Sequence, residues 1–258
     1  MLSALLLLTG MGSVVAKEFM VVGTGDGLDI LRAVSEAYRQ QNPEAHFKVP
    51  PSIGSGGAIA AVGADREILG RVARPLTTAE LASGIHYHPA FSVPSAFFVH
   101  PGVPVRNLTG AQLRAIFSGG VTNWKDVGGP DMRIRVVRRE DADSSVLTFR
   151  ATLPEFAEIK FTGRSKLALT TQEAIDSVRD NPGAIGFASY SMNLAREFGV
   201  ISINGVAPAD KEYPAKVVLA LIYKPERIET EIRRYLDFLS GDVARRVILE
   251  FGARPAEP

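Results

Sequence analysis

An arginine followed by acidic and hydroxyl side chains marks the stretch from Arg133 to Phe149. Its first half alternates charged with β-branched residues, which predicts a strand, and its second half has the polar start of a capped helix. Arg139 offers a planar fork of donors that matches carboxylate or phosphate oxygens. Asp143, Ser144 and Ser145 begin the helix, where unpaired backbone N–H groups favour a negative charge. The stretch predicts half of an anion clamp; the alternative is a surface arginine beside an ordinary helix cap.

A glycine-rich turn, Gly-Thr-Gly-Asp-Gly, follows the first predicted strand, Glu18 to Val22. Asp26, Gly27 and Leu28 close this turn and begin a helical pattern. The glycine spacing is G-x-G-x-G, whereas dinucleotide-binding folds use G-x-G-x-x-G. The turn therefore favours a nest of backbone N–H groups for a small anion, or simply a tight turn, over a dinucleotide site.

A second glycine turn, Ile53 to Ala60, contains Ser55 and Gly56 at the start of another helical pattern. Its glycines let the backbone approach a ligand, and Ser55 can cap the helix or donate its hydroxyl to an oxyanion. The third predicted strand carries Arg71 near its end, and Arg74 lies just beyond it. Ligands in open α/β sheets sit beyond the carboxyl ends of strands. Two arginines there, near two glycine turns, favour an anion site.

Capped helices connect the predicted strands. Thr77, Thr109 and Thr170 each begin a helical pattern and have a Glu or Gln three residues later, which is the pattern of a capping box. Trp124 follows a glycine-terminated helix and is predicted to be a packing anchor rather than a ligand platform. Strand, turn and capped helix thus alternate, which predicts an α/β fold.

Two long apolar runs interrupt that alternation, Phe91 to His100 and Val217 to Tyr223. A proline inside the first run disfavours a central strand, so we predict that both runs cross between two domains. The chain has 258 residues, 46% of them hydrophobic, which is enough for two modest domains. Its formal net charge of +1 and its lack of long basic blocks argue against nucleic-acid binding.

The N-terminal residues predict export. Leu2 to Val15 form an apolar run too short to cross a bilayer comfortably, and the run closes on Ala16. We predict a signal peptide over residues 1–16. A basic segment before the run is missing, so an uncleaved anchor or a misplaced start remains the alternative. The chain contains no cysteine, which leaves no disulfide, thiol chemistry or lipidated N-terminal cysteine for the mature protein.

Enzymatic motifs are missing from the sequence. The chain has no G-x-S-x-G elbow, no P-loop and no H-E-x-x-H motif, so we predict that it is not an enzyme. His86 and His88 could point the same way on a strand and bind a metal, but no third ligand lies nearby in sequence. We predict no metal site and no cofactor.

Five short motifs, taken in order, resemble the phosphate-binding proteins of high-affinity phosphate ABC importers. The resemblance covers nearly all of the mature chain and implies a type II periplasmic binding protein. That fold is α/β with two lobes, each a central mixed sheet flanked by helices, joined by two crossing strands. The motifs are Ile53-Gly54-Ser55-Gly56-Gly57, Leu108-Thr109-Gly110 with Ile116-Phe117-Ser118-Gly119, Asn123-Trp124, Val136-Val137-Arg138-Arg139 and Gly183-Ala184-Ile185-Gly186-Phe187.

The resemblance also implies a division of the chain and a role. One lobe would comprise residues 17–90 and 215–258, and the other residues 91–214. The chain would be a monomeric periplasmic protein that captures phosphate or a related oxyanion between the lobes and delivers it to the membrane subunits of an ABC importer. The alternative is a family member re-purposed for another small anion, or for sensing or surface interaction.

The ligand-contacting turns of the family fall on residues that the sequence already singled out, with departures. Gly27 stands where the family has a threonine hydroxyl, and Ala73 stands where it has a carboxylate that accepts a proton from the ligand. Asp143 is an added acid that could replace this carboxylate or repel the anion. The predicted ligand-binding residues are Asp26, Gly27, Leu28, Ser55, Gly56, Arg71, Arg74, Arg139, Asp143, Ser144 and Ser145.

Overall fold

The computed structural model describes residues 16–256, so the predicted signal peptide lies outside the described residues except for Ala16. Strands and helices alternate over most of this range. The strands are β1 (Lys17–Gly23), β2 (Ala45–Lys48), β3 (Leu69–Val72), β4 (His86–Val99), β5 (Asn107–Leu108), β6 (Arg135–Arg138), β7 (Lys166–Leu167), β8 (Ala184–Ser189), β9 (Gly199–Val200), β10 (Ser202–Ile203), β11 (Lys216–Tyr223) and β12 (Arg254–Pro255). The α-helices are α1 (Leu28–Gln41), α2 (Gly54–Gly63), α3 (Thr78–Ala82), α4 (Gly110–Ser118), α5 (Ser144–Thr152), α6 (Thr171–Arg179), α7 (Met192–Glu197), α8 (Thr230–Leu239) and α9 (Asp242–Glu250).

The main sheet is mixed and has the order β2-β1-β3-β11-β4-β8-β6-β7, with β9 and β12 also paired to β4. Strand β1 is parallel to β2 and β3, and β6 is parallel to β7 and β8. Strand β11 is antiparallel to β3 and β4, and β4 is antiparallel to β8. The predicted fold class, a central mixed sheet flanked by helices, is confirmed.

Strand β4 lies at the centre of this sheet and changes partner along its length. Its first part pairs with β11 as far as Pro94, opposite Lys216, and its second part pairs with β8 from Ser95 onward. The expectation that the proline would keep this run out of a central strand is therefore wrong. Pro94 lies opposite Lys216, the first residue of β11, and Ser95 opposite Ser189, the last residue of β8, so the proline stands where β4 changes partner and its missing N–H is tolerated.

Buried apolar side chains form clusters on either side of this change of partner. Two clusters draw on residues 19–93 and 217–253, and two others draw on residues 97–215. Trp124 is fully buried, and its indole Nε1 donates to the Gly183 carbonyl oxygen at 2.9 Å, which confirms it as a packing anchor. The division into two lobes stays a prediction, and this partition of the core supports it.

The predicted helix starts are confirmed by their caps. Thr77 with Glu80, and Thr109 with Gln112, form reciprocal capping boxes, and the Thr170 hydroxyl accepts from the Glu173 amide. Helices α3, α4 and α6 therefore begin directly after the threonines that the sequence pattern predicts as their caps.

Two further findings concern membranes and metals. No helix within residues 16–256 combines the length and the apolar composition that crossing a bilayer requires. The same part of the chain contains no group of three His, Cys, Asp or Glu residues arranged to hold a metal ion. His86 and His88 do lie two residues apart on β4, and burial lowers the pKa of half-buried His88.

Candidate functional site

Buried polar side chains gather where the ends of several strands and helices meet. Burying a polar group costs free energy unless it finds hydrogen-bond partners, so a cluster of such groups needs an explanation. The segments involved are the turn after β1, the start of α2, the turn between β6 and α5, the middle of β4 and the end of β8. The buried polar residues are Thr24, Asp26, Ser55, Ser95, Arg139, Ser144 and Ser145.

Arg139 and Asp143 form an ion pair in the turn between β6 and α5. The guanidinium Nε and one terminal nitrogen lie 3.0 and 2.8 Å from Asp143 Oδ2, and the side chains are only 10% and 12% exposed. The remaining terminal nitrogen donates to the Ala168 carbonyl oxygen at 3.3 Å. Asp143 also caps α5, because its Oδ1 accepts from the Ser145 amide at 3.0 Å. The carboxylate of Asp143 thus accepts from both of the groups, the Arg139 guanidinium and the start of α5, for which the sequence predicts an anion partner.

Serine hydroxyls join the first turn of α2 to the first turn of α5. The hydroxyl oxygens of Ser55 and Ser144 are 3.3 Å apart. The Ser55 oxygen also accepts from the amide of buried Ala73 at 3.1 Å. Behind them, the Ser95 hydroxyl of β4 donates to the Ser145 oxygen at 3.0 Å. Two helix N-termini thus meet across a layer of hydroxyl groups.

Asp26 is the second carboxylate of the cluster. Its Oδ1 accepts from the Ser189 hydroxyl at 2.6 Å and its Oδ2 from the Thr24 hydroxyl at 3.1 Å. Burial, together with the negative charge of Asp143, raises the pKa of Asp26 to about 6, against the opposing effects of its hydrogen bonds and of Arg139. The carboxylate of Asp143 is therefore close enough to disfavour ionisation of Asp26.

Gly27 and its neighbours are placed by backbone geometry. Gly27 has φ +62°, and a Cβ added there would lie 2.8 Å from the ring of Phe91, so the turn has no room for a side chain. Its amide donates to the Ser189 hydroxyl at 3.3 Å. Leu28 begins α1 and packs, half buried, against a hydrophobic cluster, whereas Gly56 is exposed in the first turn of α2.

The structure places the two arginines at the end of β3 differently from the sequence expectation. Arg71 is fully buried and donates to the carbonyl oxygens of Thr24 at 2.6 Å, of Pro50 at 2.8 Å and of Val21. Burial lowers its pKa to about 10. All three donating nitrogens are occupied by backbone, so Arg71 holds the glycine turn in place.

Arg74 likewise has a partner within the chain, the carboxylate of Glu80. Its two terminal nitrogens lie 2.9 and 2.8 Å from the two carboxylate oxygens of Glu80. Glu80 also completes the capping box of α3, and the guanidinium holds the pKa of that carboxyl down at about 2. The sequence showed that both arginines stand near a strand end, but it did not show that closer partners compete for them.

Three contributors to the site escaped the sequence reasoning: Thr24, Ser95 and Ser189. Ser189 ends β8, two residues beyond the motif that closes at Phe187, and the carboxyl end of a strand is where ligands of α/β sheets lie. Ser95 is a small hydroxyl within a long apolar run, which carries no signal of its own. Thr24 lies in the glycine turn and could have been grouped with Asp26.

A cavity of about 350 Å³ adjoins this cluster. It is lined by the start of α1, by α6 and by the segment from β8 to α7, and it includes Gly27 and Ser189, which contact each other and Asp26. The cluster offers guanidinium, hydroxyl and helix N-terminal donors together with two carboxylates that accept. Such a set can hold an oxyanion from several directions.

Comparison with known proteins agrees with the resemblance seen in sequence. A family model described as a PBP superfamily domain matches residues 12–242. The phosphate-binding protein PstS of Bacillus subtilis is 28% identical over 241 residues, which cover 88% of this chain and 76% of the relative.

Two solved structures share the fold. One, from Clostridium perfringens and described as a phosphate ABC transporter substrate-binding protein with bound phosphate, has a TM-score of 0.82 at 22% identity. The match covers 93% of this chain and 100% of that one. An ABC-type phosphate transport receptor from Vibrio cholerae has a TM-score of 0.66 at 24% identity, with the same coverage of 93% and 100%.

Proposed function

Because this chain belongs to the PBP superfamily, we propose that it is a solute-binding protein that captures phosphate or a related oxyanion. The observation that carries the proposal is the buried guanidinium of Arg139 in the turn before α5, together with the contact between Ser144 in the first turn of α5 and Ser55 in the first turn of α2. Guanidinium and helix N-termini are the groups that proteins use to bind phosphate-like anions.

In this proposal the anion lies between two lobes. Residues 17–90 and 215–258 form the lobe that supplies Asp26 and Ser55, and residues 91–214 form the lobe that supplies the remaining groups: Arg139, Asp143, Ser144 and Ser145. Hydrogen bonds from Ser189 to Asp26, from the Gly27 amide to Ser189 and between Ser55 and Ser144 then cross between the lobes. Few polar contacts need to break for the cleft to open, as expected of a hinged binding protein.

The proposal includes the route of the ligand. The N-terminal segment 1–16 directs export to the periplasm, and the mature monomer delivers the anion to the membrane subunits of an ABC importer. The curated relative and the two solved structures carry phosphate binding or phosphate transport in their descriptions. A net charge of +1 gives the chain no general affinity for nucleic acid.

A second candidate function is capture of a different small anion, or sensing without transport. The observation that favours it is Asp143, whose carboxylate occupies both the guanidinium of Arg139 and the first turn of α5. The absence of a carboxylate at Ala73 and of a hydroxyl at Gly27 points the same way, since both positions differ from the pattern of the phosphate-binding family.

Calorimetric titration separates these candidates. The mature chain, freed of carried-over ligand by unfolding and refolding, is titrated with phosphate, sulfate, molybdate and a small dicarboxylate. We expect phosphate to bind with a Kd of about 1 μM or less, corresponding to about −8 kcal/mol. If phosphate gives no binding signal while another of these anions binds, phosphate capture is contradicted and the second candidate is supported.

A further inference from the structure

A second cavity lies beside the first half of strand β6 and has a volume of about 460 Å³. Its walls are the sheet edge at β6 and β7, the end of α4 and the second half of α6. None of its lining residues belongs to the buried polar cluster around Asp26 and Arg139. The volume is in the range of cavities that hold small organic ligands.

Basic side chains dominate the charge of this lining. Arg133 and Arg135 lie at the start of β6, and Arg164 and Lys166 lie at the start of β7. Within residues 16–256, no Asp or Glu lines the cavity, and only Lys166 has an ion pair, with Glu173 at 3.1 Å. Cations brought together around one concave surface repel each other, and an anion placed among them relieves that repulsion.

The hydrogen bonds at the rim leave most of these charges uncompensated. The Arg135 Nε donates to the Pro182 carbonyl oxygen at 3.2 Å, which is a neutral partner. Asp131 contacts the lining through Asn123, whose amide nitrogen lies 2.7 Å from Oδ1, but its other oxygen lies 3.5 Å from Lys125 Nζ. A solvated basic surface would have acids interspersed among its cations, whereas this concave surface has an excess of positive charge.

The floor of the cavity is apolar. Ile116 of α4 and Val136 and Val137 of β6 are buried, and Val121 is partly buried beside them. An inorganic oxyanion would contact the rim and leave this floor uncovered. An organic anion would place its apolar body on the floor and its charged groups against the arginines, whose planar donors match carboxylate and phosphate oxygens.

We propose that this cavity is a second ligand site, which binds a small organic dianion with an apolar body, such as a dicarboxylate or a phosphomonoester. Arg133, Arg135, Arg164 and Lys166 recognise the two negative charges, and the apolar floor recognises the body. Arg139 follows the end of β6, about 13 Å along the extended strand from Arg135, so the two sites are separate.

Calorimetric titration of the wild-type chain tests the site with two probes, isophthalate and phenyl phosphate. At least one should bind, with the same affinity whether or not about 1 mM inorganic phosphate is present. Isophthalamide, which has the same ring without the charges, should not bind. Failure of both probes to bind, equal binding of isophthalamide, or displacement of the probe by inorganic phosphate overturns the proposal.

Arginine variants locate the bound probe. Arg135→Gln and Arg164→Gln should each weaken its binding about fivefold, because exposed guanidinium groups contribute less than buried ones. Arg114→Gln is the matched control, since Arg114 is an exposed arginine of α4 outside the lining, and it should bind the probe normally. Equal losses in all three variants indicate attraction to overall positive charge and overturn the proposal.

A variant that keeps every charge tests the cavity itself. Thr122 is exposed in the lining, so Thr122→Phe should fill part of the space and weaken probe binding at least tenfold, while Thr122→Ser should bind normally. Unchanged binding in Thr122→Phe overturns the proposal. Titration with inorganic phosphate is the independent readout, because these variants leave the buried cluster intact. A wild-type chain that binds the probe but not phosphate contradicts the proposed function and supports the second site.

Discussion

The two helix N-termini that meet in the buried cluster differ in whether an acidic side chain caps their free backbone N–H groups. Helix α5 is capped by Asp143, and Arg139 closes over the same carboxylate. Helix α2 begins after Ile53 with no side-chain cap and no acidic residue in its first turn. One end already holds a negative charge, while the other has only the hydroxyl of Ser55 beside its backbone donors.

This difference shows that a helix N-terminus can accept an anion only where no side chain of the protein already occupies its backbone N–H groups. The start of α2 is built of glycine and serine, which leaves space for a ligand, and a Cβ added at Gly56 would meet open space. The start of α5 has the stronger donors, but an acid of the chain competes for them. We expect the free energy of ligand binding to depend on both helix ends. At the start of α5, removal of the positive charge of Arg139 should weaken binding, and removal of the negative charge of Asp143 should strengthen it.

The largest expected effect follows from removing the only guanidinium that the proposal places on the ligand. Arg139→Ala should weaken phosphate binding about 100-fold, because charge-assisted hydrogen bonds contribute about 1.5 to 3 kcal/mol each. Titration calorimetry measures the change. Arg138→Ala is the matched control, since its Nε donates to Ser165 and it should bind phosphate normally. If Arg139→Ala binds phosphate with wild-type affinity, the start of α5 is not part of the ligand site.

Asp26, a buried carboxyl of the same cluster, should make the stability of the ligand-free protein depend on pH. Its pKa rises from 3.8 in a model compound to about 6, so its stabilising contribution is complete below pH 3.8 and is lost as the pH rises through 6. At pH 8 Asp26→Asn should therefore unfold with a free energy about 2 kcal/mol higher than wild type, because the ionised carboxylate no longer has to be buried.

Urea unfolding at pH 4 and pH 8 measures this dependence. The difference between wild type and Asp26→Asn should shrink at pH 4, where the wild-type carboxyl is protonated in the folded state. Asp29→Asn serves as the control, because Asp29 is exposed. A difference of the same size at both pH values would mean that the titrating group is not Asp26.

Asp143→Asn tests the competition at the start of α5. Asparagine caps helices about as well as aspartate, so the helix start should persist while the negative charge is removed. Phosphate affinity should increase about tenfold, the gain expected from freeing one charge-assisted contact of Arg139. Asp141→Asn is the control, since Asp141 pairs with Arg150 at the surface. A loss of affinity would show that Asp143 supports the ligand instead of competing with it.

The smallest expected effect concerns the start of α2. Ser55→Ala removes the hydroxyl that contacts Ser144 and accepts from the Ala73 amide, and it should weaken phosphate binding about fivefold, as for a neutral hydrogen bond. Ser83→Ala, an exposed hydroxyl change at the end of α3, should leave binding unchanged. Equal affinities of Ser55→Ala and wild type would assign ligand recognition to the α5 side alone.

Local patterns in the sequence determined most of the secondary structure. The periodicity and the caps at Thr77 and Thr109 located helices α3 and α4, and Asp143 was recognised at the start of α5. These features depend on residues within about one helical turn of each other, which is why they can be read without a structure. The resemblance of five ordered motifs gave the fold class for the same reason, since each motif is a short contiguous stretch.

Tertiary structure alone decided which polar groups meet. Ser189 donates to Asp26 across 163 residues, and Arg71 binds the Thr24 carbonyl across 47 residues. The sequence placed Arg71 at a strand end but could not reveal that each of its three guanidinium nitrogens donates to a backbone oxygen. Buried polar groups must satisfy one another, and the available partners are known only after distant segments have packed together. The elements of this protein follow from its local sequence, whereas the charge balance of its buried polar cluster follows from its packing.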